Sequence, residues 1–454
     1  MTQWFAIIYQ GGLYMFTKIK LHNFKSFEDI ELDLTTRKST PKHLAIVYGE
    51  NGMGKSNLAE SIAFLIDLLR TMDVRDIWAK MIEDTNFNSM GDDFLGFLRR
   101  QLREMKNLIS DNYMIGAVGN MKLQYEFSIN DRKGLYEVTF HSENGELSHE
   151  RLEYTLEKNR GVYFDITPDE VKLNKKAFVD NQFLADLQEL VRKFWGKHTL
   201  LAILLHEEHD KSTKYIHEAI SMNFASVLDA FSHISCFLKT GHEERGYLQS
   251  SVNLPRNLES GEITADAVPQ LNKVAEMLSS FFHAINSDNR KVYFDFTSKN
   301  EKQVSYQLYV SKLIYGKERD IPFSLESTGN HRILDIISFL FEAMNGHTVV
   351  IDEIDMGIHD VLMKKVIEEV APHISGQLIV TSHNTLLMEI DSIRDAIYII
   401  SEDENAYKQV KCISDYAERT YLQNNIRNKY LNADYDGIPH VEQIEFSELF
   451  QSIQ

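Results

Sequence analysis

The sequence predicts an α/β fold in which a parallel-sheet core carries an antiparallel β subdomain and a helical insertion. Three patterns indicate this arrangement. Between about 121 and 175, apolar and polar residues alternate in short runs, as in antiparallel strands. Across 176–288 the apolar residues recur at every third or fourth position, as in helices. Beyond 289, apolar strands alternate with helices, as in parallel sheets. We therefore expect three domains, at 15–175, 176–288 and 289–454.

The composition is that of an ordinary globular protein. Of the 454 residues, 43% are hydrophobic and 25% are charged. No apolar run approaches the roughly 18 residues of a membrane helix. The two cysteines, Cys236 and Cys412, form no CxxC pair, which argues against a disulfide framework or structural zinc and favours a reducing cytoplasm. The net charge of −19 argues against a general nucleic-acid coat, although a local basic groove stays open.

The first fourteen residues do not have the form of a secretory signal, because no basic residue precedes their short apolar patch at 4–9. Met15 stands directly before a strand-like run at 16–21. We therefore expect the natural start at Met15, with residues 1–14 as an upstream extension.

A glycine-rich turn follows the first apolar strand of the core. Residues 49–56 read GENGMGKS, a full match to GxxxxGK[ST], between an apolar strand at 43–48 and an amphipathic helix. The glycines let successive amide groups face one anion at the positive end of that helix. We expect Lys55 to reach the β and γ phosphates of a nucleotide and Ser56 to bind Mg²⁺. The predicted nucleotide-binding residues here are Gly49, Glu50, Asn51, Gly52, Met53, Gly54, Lys55, Ser56 and Asn57.

A second apolar strand, at 348–351, ends in two carboxylates, Asp352 and Glu353. P-loop nucleotidases place a metal-binding acid at this point of a strand. We expect Asp352 to hold Mg²⁺ and Glu353 to orient and polarise the attacking water. An in-line attack needs a carboxylate that lies beside the metal without binding it, which accounts for the pair.

A histidine ends the next predicted strand, about thirty residues beyond Glu353. The segment Thr381, Ser382 and His383 follows the apolar residues 377–380. A side chain at this edge can hydrogen-bond the γ-phosphate. We expect His383 to report whether that phosphate is present.

A loop of small residues opens a helix about 25 residues before Asp352. Residues 325–329 read LESTG. The start of a helix is a second anion cradle. Because residues 49–56 already supply one cradle, we expect Ser327, Thr328 and Gly329 to close over the γ-phosphate of a nucleotide held by a second subunit.

In their order along the chain, these motifs resemble the SMC/RecF branch of ABC ATPases, and more closely its OLD-like members of the AAA family. The matching stretches are 19–27 (IKLHNFKSF), 49–56, 326–329, 351–355 with His359, 381–384 and a tail at 430–439. They span about 15–175 and 290–440. The resemblance implies an ABC-type P-loop ATPase head with ATP and Mg²⁺ as cofactors. It also implies that Asp355 belongs to a loop that contacts the opposite subunit. Directly after the stretch at 326–329, Asn330 and His331 stand where relatives often carry Thr and Lys, which leaves the details of the contact between this stretch and the other subunit open.

Three functions share such a head. A self-contained OLD-type nuclease would need a TOPRIM module of roughly 100 residues with a DxD pair for metal-assisted cleavage. Only about 50 residues follow the last core strand, and the DxD at 434–436 has no apolar strand before it. A RecF/SMC-like DNA-repair ATPase that binds DNA stays open as the alternative, although 176–288 is too short and irregular for a long coiled coil. A sensor or scaffold ATPase of an anti-phage (abortive infection) system, slow and regulatory, fits best.

In size and layout the chain resembles the AriA family, the ATPase subunits of PARIS systems, whose TOPRIM-type nuclease effector is a separate protein. The resemblance implies homo-oligomers built from ATP-sandwiched dimers, assembled into a larger ring, and activation by a phage trigger protein. The ATPases of Septu and of some retron systems, which are paired with an HNH nuclease, are competing resemblances. Residues 176–288 are either the partner-binding surface or a packing layer over the core.

Overall fold

The computed structural model of the chain describes residues 13–83, 102–142, 144–240, 243–250, 255, 257–300, 302–416, 425–435 and 437. The strands, in chain order, are β1 (Tyr14–Phe24), β2 (Phe27–Asp33), β3 (Leu44–Tyr48), β4 (Met121–Ile129), β5 (Arg132–Phe140), β6 (Leu147–Thr155), β7 (Arg160–Ile166), β8 (Val171–Leu173), β9 (Ile234–Thr240), β10 (Glu243–Tyr247), β11 (Ser260–Thr264), β12 (Asn289–Ser298), β13 (Gln303–Ile314), β14 (Lys317–Pro322), β15 (Thr348–Ile351), β16 (Gln377–Thr381), β17 (Ile397–Glu402) and β18 (Lys408–Cys412). The α-helices are α1 (Lys55–Leu69), α2 (Thr71–Glu83), α3 (Met105–Asn112), α4 (Asn181–Phe194), α5 (Leu200–Lys211), α6 (Thr213–Ala219), α7 (Met222–Ser232), α8 (Val268–Ile285), α9 (Thr328–Met344), α10 (Asp360–Val370) and α11 (Ile426–Leu431).

A parallel sheet forms the core, in the order β10-β9-β15-β16-β3-β17-β18. Its five central strands run parallel, while β18 at one edge and β10 at the other pair antiparallel. Every residue of β3, β15 and β16 is buried, as expected for strands covered on both faces. Because β3, β15 and β16 run parallel, their carboxyl ends meet at one edge of the sheet, where ligands of open α/β sheets bind.

Two helices cover opposite faces of this sheet. On one face, α1 shares a hydrophobic core with Val350 of β15 and Ile379 of β16. On the other face, α9 shares a separate core with Val349 and Ile351 of β15. Because side chains alternate along a strand, these neighbours point in opposite directions. The helices α1 and α9 thus sandwich the sheet.

The predicted antiparallel meander is confirmed. Its strands form a sheet in the order β2-β1-β4-β5-β6-β7-β8. In β4 the side chains of Leu123, Tyr125 and Phe127 are fully buried, whereas the residues between them are partly exposed. A smaller antiparallel sheet of β11, β12, β13 and β14 packs against α8.

The secondary structure of 176–288 differs from the predicted helical insertion. Its first part contains α4, α5, α6 and α7, as expected, but β9 and β10 follow and β9 joins the core sheet beside β15. The run ISCFL in β9 is short and apolar except for Ser235, a pattern that periodicity alone does not distinguish from a buried helical turn. Its partner on the inner side of the core sheet, β15, lies more than a hundred residues later in the chain, so local sequence carries no sign of that pairing. The domain boundaries at 175 and 288 stay a prediction.

Candidate functional site

The glycine-rich turn at 49–54 connects β3 to α1 and needs glycine at two points. Gly49 has φ +156° and Gly54, the residue before α1, has φ +104°. A Cβ at Gly54 would lie 2.6 Å from the ring of Phe27, and one at Gly49 would collide with Ile400. These close approaches shape a loop whose amide groups lie at the positive end of α1.

Lys55 is enclosed by this turn. Its Nζ donates to the carbonyl oxygens of Gly49 at 2.7 Å and Glu50 at 2.9 Å. Burial lowers the pKa of Lys55, and the nearby carboxylates, with Asp352 and Glu353 foremost, oppose that shift. The ammonium is therefore buried among anionic side chains at the mouth of the loop.

Of the other predicted residues of the turn, Asn51 and Gly52 are exposed, Glu50 is partly exposed and Met53 is buried. Asn57 in α1 donates from its amide to the hydroxyl of Ser26 at 2.7 Å, and so fastens α1 to the turn between β1 and β2. A nucleotide contact by Asn57 stays a prediction.

The carboxylates after β15 meet the carboxyl end of β16 through one hydroxyl group. Thr381 donates to Oδ1 of the buried Asp352 at 2.5 Å and accepts from the backbone N–H of Glu353 at 2.7 Å. Glu353 has φ +50°, so the chain turns sharply after Asp352 and separates the two carboxylates. Burial raises the pKa of Asp352, while hydrogen bonds from Thr381 and Ser56 counter it.

Ser56 and Asp352 fit a magnesium site. The Ser56 hydroxyl lies close enough to the Asp352 carboxylate to lower its pKa, so an oxygen from α1 and one from β15 are near each other. Mg²⁺ prefers such oxygen donors and typically takes only one or two from protein, completing its shell with water and phosphate. The two residues would hold the ion, which when bound would neutralise phosphate charge.

His383 and Asp355 lie together at the same edge. The backbone N–H of His383 donates to the Asp355 carboxylate at 3.2 Å, and the His383 ring is exposed. Within one chain, Asp355 is thus bound to the loop that carries His383. Its expected contact with an opposite subunit stays a prediction.

The LESTG loop lies on the other face of the sheet. Ser327 caps α9, accepting from the backbone N–H of Asn330 at 3.3 Å, and both Ser327 and Thr328 are exposed. A Cβ at Gly329 would lie 3.0 Å from the carbonyl oxygen of Gly357, so the loop borders the segment that follows Glu353. This cradle opens to the surface on the α9 face, whereas Lys55 belongs to the α1 face.

Sequence reasoning missed a cation that joins α9 to the second carboxylate. Arg332 is buried with its guanidinium over the ring of Phe237, 4.4 Å from the centroid. It donates to the backbone oxygen of Glu353 at 3.5 Å and to the carboxylate of Glu244 at 3.2 Å. The position of Arg332 five residues after Ser327, on a helix that begins at the site, was the available signal.

A second missed cation is Lys239, at the carboxyl end of β9. Its Nζ lies 3.6 Å from Oε2 of Glu353. We missed this residue because we expected 176–288 to be helical, so no strand in that range was placed in the core sheet.

Comparison with known families decides the class of the chain. The family model described as "AAA domain, putative AbiEii toxin, Type IV TA system" matches residues 44–389. The chain belongs to this family. The matched range runs from β3 through the glycine-rich turn, α9, Asp352 and Glu353 to His383. Membership places the chain among ATPases of the ABC/AAA type.

Individual relatives match less of the chain or less closely. The Septu protein PtuA of Bacillus mycoides (strain KBAB4) is 36% identical over 58 residues, which is 13% of this chain and 8% of that protein. The SMC head domain from Thermotoga maritima is 14% identical, with 88% of this chain and 98% of that chain covered and a TM-score of 0.37. An SMC head bound to the C-winged helix domain of ScpA is 14% identical over 87% of this chain and 96% of that chain, with a TM-score of 0.43.

Among the described residues, none of the helices combines the length and the apolar character that crossing a bilayer requires.

Proposed function

We propose that this protein binds and slowly hydrolyses ATP, and that two copies close head to head around the nucleotide. The observation that carries this proposal is the placement of two anion cradles on opposite faces of one sheet. The turn at 49–54 opens α1, and the loop at 325–329 opens α9.

By this proposal, one nucleotide does not bridge both cradles of the same copy. Helices with diameters of about 10–12 Å on both faces of a sheet have axes roughly 20 Å apart, several times the length of a phosphate group. A second copy turned by a two-fold axis brings its LESTG loop over the first copy's turn, and the reverse contact forms at the same time. Such a dimer has two equivalent sites, each built from both copies.

Within each site the residues have separate roles. The amide groups of the glycine-rich turn and Lys55 hold the β and γ phosphates. Ser56 and Asp352 would hold Mg²⁺. Glu353 orients the attacking water, and His383 contacts the γ-phosphate. Ser327, Thr328 and Gly329 of the opposite copy cover that phosphate.

We further propose that dimerisation controls a separate toxic effector in anti-phage defence. The description of the chain's own family names a toxin of a toxin–antitoxin system, and the short match to a Septu protein supports the same setting. The resemblance to AriA favours a TOPRIM-type nuclease as the effector and a phage protein as the trigger. By this proposal, the purified chain with Mg²⁺ does not cut DNA or RNA, and clear cleavage would overturn the scaffold role.

Molecular mass in solution tests the dimer. With Mg²⁺ and ATP, Glu353→Gln should double in mass, because it holds ATP without turning it over. Adding Ser327→Arg should keep this variant monomeric, while nucleotide binding to the monomer persists. Ser221→Arg is the matched control, since Ser221 caps α7 through a 3.3 Å bond of the same kind but lies outside the site. A dimer that survives Ser327→Arg would refute the sandwich.

The effector proposal needs a different measurement. The mass of the complex that copurifies with the product of the neighbouring gene, with and without ATP, should reveal a partner bound in a nucleotide-dependent ratio. The same preparations, tested against duplex DNA, address the RecF/SMC-like alternative. ATP-dependent DNA binding without a protein partner would favour that alternative.

A further inference from the structure

We propose that Lys239 is a second cation that, together with Lys55, recognises the γ-phosphate, and that the Glu353 carboxylate binds its ammonium until a triphosphate arrives. This inference rests on the proposed function and deepens it, since it concerns discrimination between ATP and ADP at the same site.

The topology brings Lys239 to the site from a side that no sequence motif marks. Strand β9 is the parallel neighbour of β15, with Phe237 opposite Ile351. The backbone N–H of Asp352 donates to the carbonyl oxygen of Phe237 at 2.8 Å. Lys239 is two residues beyond Phe237, so its side chain leaves the strand on the α9 face, as that of Phe237 does. Its ammonium extends to Glu353, at the edge where the two carboxylates leave β15.

Lys239 contacts a carboxylate beyond close hydrogen-bonding distance and a sulfur that is a weak acceptor. Its Nζ lies 3.6 Å from Oε2 of Glu353, which is an ion pair without a close hydrogen bond. The same Nζ lies 2.7 Å from the thioether sulfur of Met356, a weak acceptor. The side chains of Lys239 and Glu353 are 25% and 32% exposed. Solvent screening keeps such a pair weak, so a stronger anion can displace the carboxylate.

Arg332, the other cation at Glu353, is not free to move in this way. It is buried over Phe237, bonded to Glu244, and donates to the main-chain oxygen of Glu353. Lysine, by contrast, carries its charge on a flexible four-carbon stem with three donors. Lys239 is thus the mobile charge beside the second carboxylate, and Arg332 is the fixed one.

The negative charge of the site favours movement of the Lys239 ammonium from Glu353 to the γ-phosphate. Asp352, Glu353, Asp355 and Glu50 all act electrostatically on Lys55, so the edge is already rich in carboxylates. A triphosphate adds further negative charge next to Glu353. An ammonium that leaves Glu353 for the γ-phosphate neutralises the incoming charge and leaves the carboxylate free to orient water. A diphosphate has no group at that position, so Lys239 would stay on Glu353.

The test compares a non-hydrolysable ATP analogue with ADP, each with Mg²⁺, by calorimetry on the full chain. Lys239→Met keeps the length of the side chain and removes the charge. It should weaken binding of the triphosphate roughly ten- to hundredfold, the loss expected for one hydrogen bond to a charged group, and leave ADP affinity within about twofold. Lys239→Gln should behave alike, which guards against a packing defect specific to methionine.

Lys364→Met is the matched control. Lys364 pairs with Glu389 at 3.0 Å, and its side chain is 23% exposed, close to the value for Lys239. This variant should bind both nucleotides as the unmodified chain does.

Two outcomes would overturn the inference. Equal losses for ATP analogue and ADP would give Lys239 a general role in the site. Unchanged affinity for both nucleotides, with or without faster hydrolysis, would mean that Lys239 only positions Glu353 and does not bind phosphate. Failure of the proposed function itself would look different, because the unmodified chain would then bind neither nucleotide.

Discussion

Replacing Glu150 by glutamine should remove part of the pH dependence of the protein's stability. Glu150 lies in β6, is fully buried, and accepts from three donors: the hydroxyl of Tyr136 at 2.9 Å, the indole N–H of Trp195 at 2.8 Å and the backbone N–H of Leu200 at 2.7 Å. It thereby ties the antiparallel sheet to the start of α5. Burial raises the pKa of Glu150 to about 7, against the effect of these three hydrogen bonds.

The sign and size follow from linkage between protonation and folding. Below pH 4.5, the usual pKa of a glutamate, the acid is neutral in both folded and unfolded chains and its stabilising contribution is complete. As the pH rises from 4.5 to about 7, the unfolded chain ionises first, and this contribution is lost. Each pKa unit corresponds to about 1.4 kcal/mol, so the difference between 4.5 and about 7 lowers the free energy of unfolding by about 3 kcal/mol. About 2.5 kcal/mol of this loss falls between pH 5 and pH 8. Glutamine carries no such proton.

Urea unfolding of the unmodified chain and of Glu150→Gln, at pH 5 and pH 8, measures the effect. The difference in free energy of unfolding between the two proteins should move by about 2.5 kcal/mol in favour of the variant at pH 8. A difference that is the same at both pH values would refute the reasoning.

Glu31→Gln is the control for this measurement. Burial would raise the pKa of Glu31, but hydrogen bonds from Lys18 and Lys20 outweigh it and lower that pKa. The contribution of Glu31 is therefore complete above pH 4.5 and is lost only as the pH falls below that value. Both partners are lysines, a residue type whose usual pKa of about 10.4 lies well above the measured range. Between pH 5 and pH 8 this variant should show no pH-dependent difference.

Three further predictions concern the nucleotide site. Lys55→Ala should weaken ATP binding at least about a hundredfold, because charge-assisted bonds to two phosphates are lost; intact affinity in calorimetry would remove Lys55 from the phosphate site. Glu353→Gln should bind ATP normally but turn it over about 10²- to 10⁴-fold more slowly, and unchanged phosphate release would exclude Glu353 as the water-orienting group. Gly54→Ala should abolish ATP binding, because its Cβ would lie 2.6 Å from the ring of Phe27. Gly52→Ala is the control, since its Cβ meets no atom within 4 Å and the variant should bear only the strain of φ +85°. Equal effects of the two substitutions on thermal melting and on ATP binding would contradict this prediction.

The sequence alone determined those parts of the fold whose physics is local. The glycine-rich turn is recognisable because its glycines, its lysine and the helix after it are consecutive, and the amide groups that face an anion come from the same few residues. The alternating strands of the antiparallel sheet are recognisable for a similar reason, since each buries every second side chain. The order along the chain of the glycine-rich turn, Ser327, Asp352 and His383, together with the matching stretches at 19–27 and 430–439, carried the family resemblance.

Only the tertiary structure decided what depends on partners distant in the chain. Strand β9 is short and contains only four apolar residues, and its place beside β15 comes from pairing across more than a hundred residues. Lys239 and Arg332 reach Glu353 through that pairing and through the packing of α9, and the position of Arg332 shortly after Ser327 was the one local signal for either of them. The same holds for the two cradles. Their motifs are local, but their positions on opposite faces of the sheet are a consequence of how α1 and α9 pack.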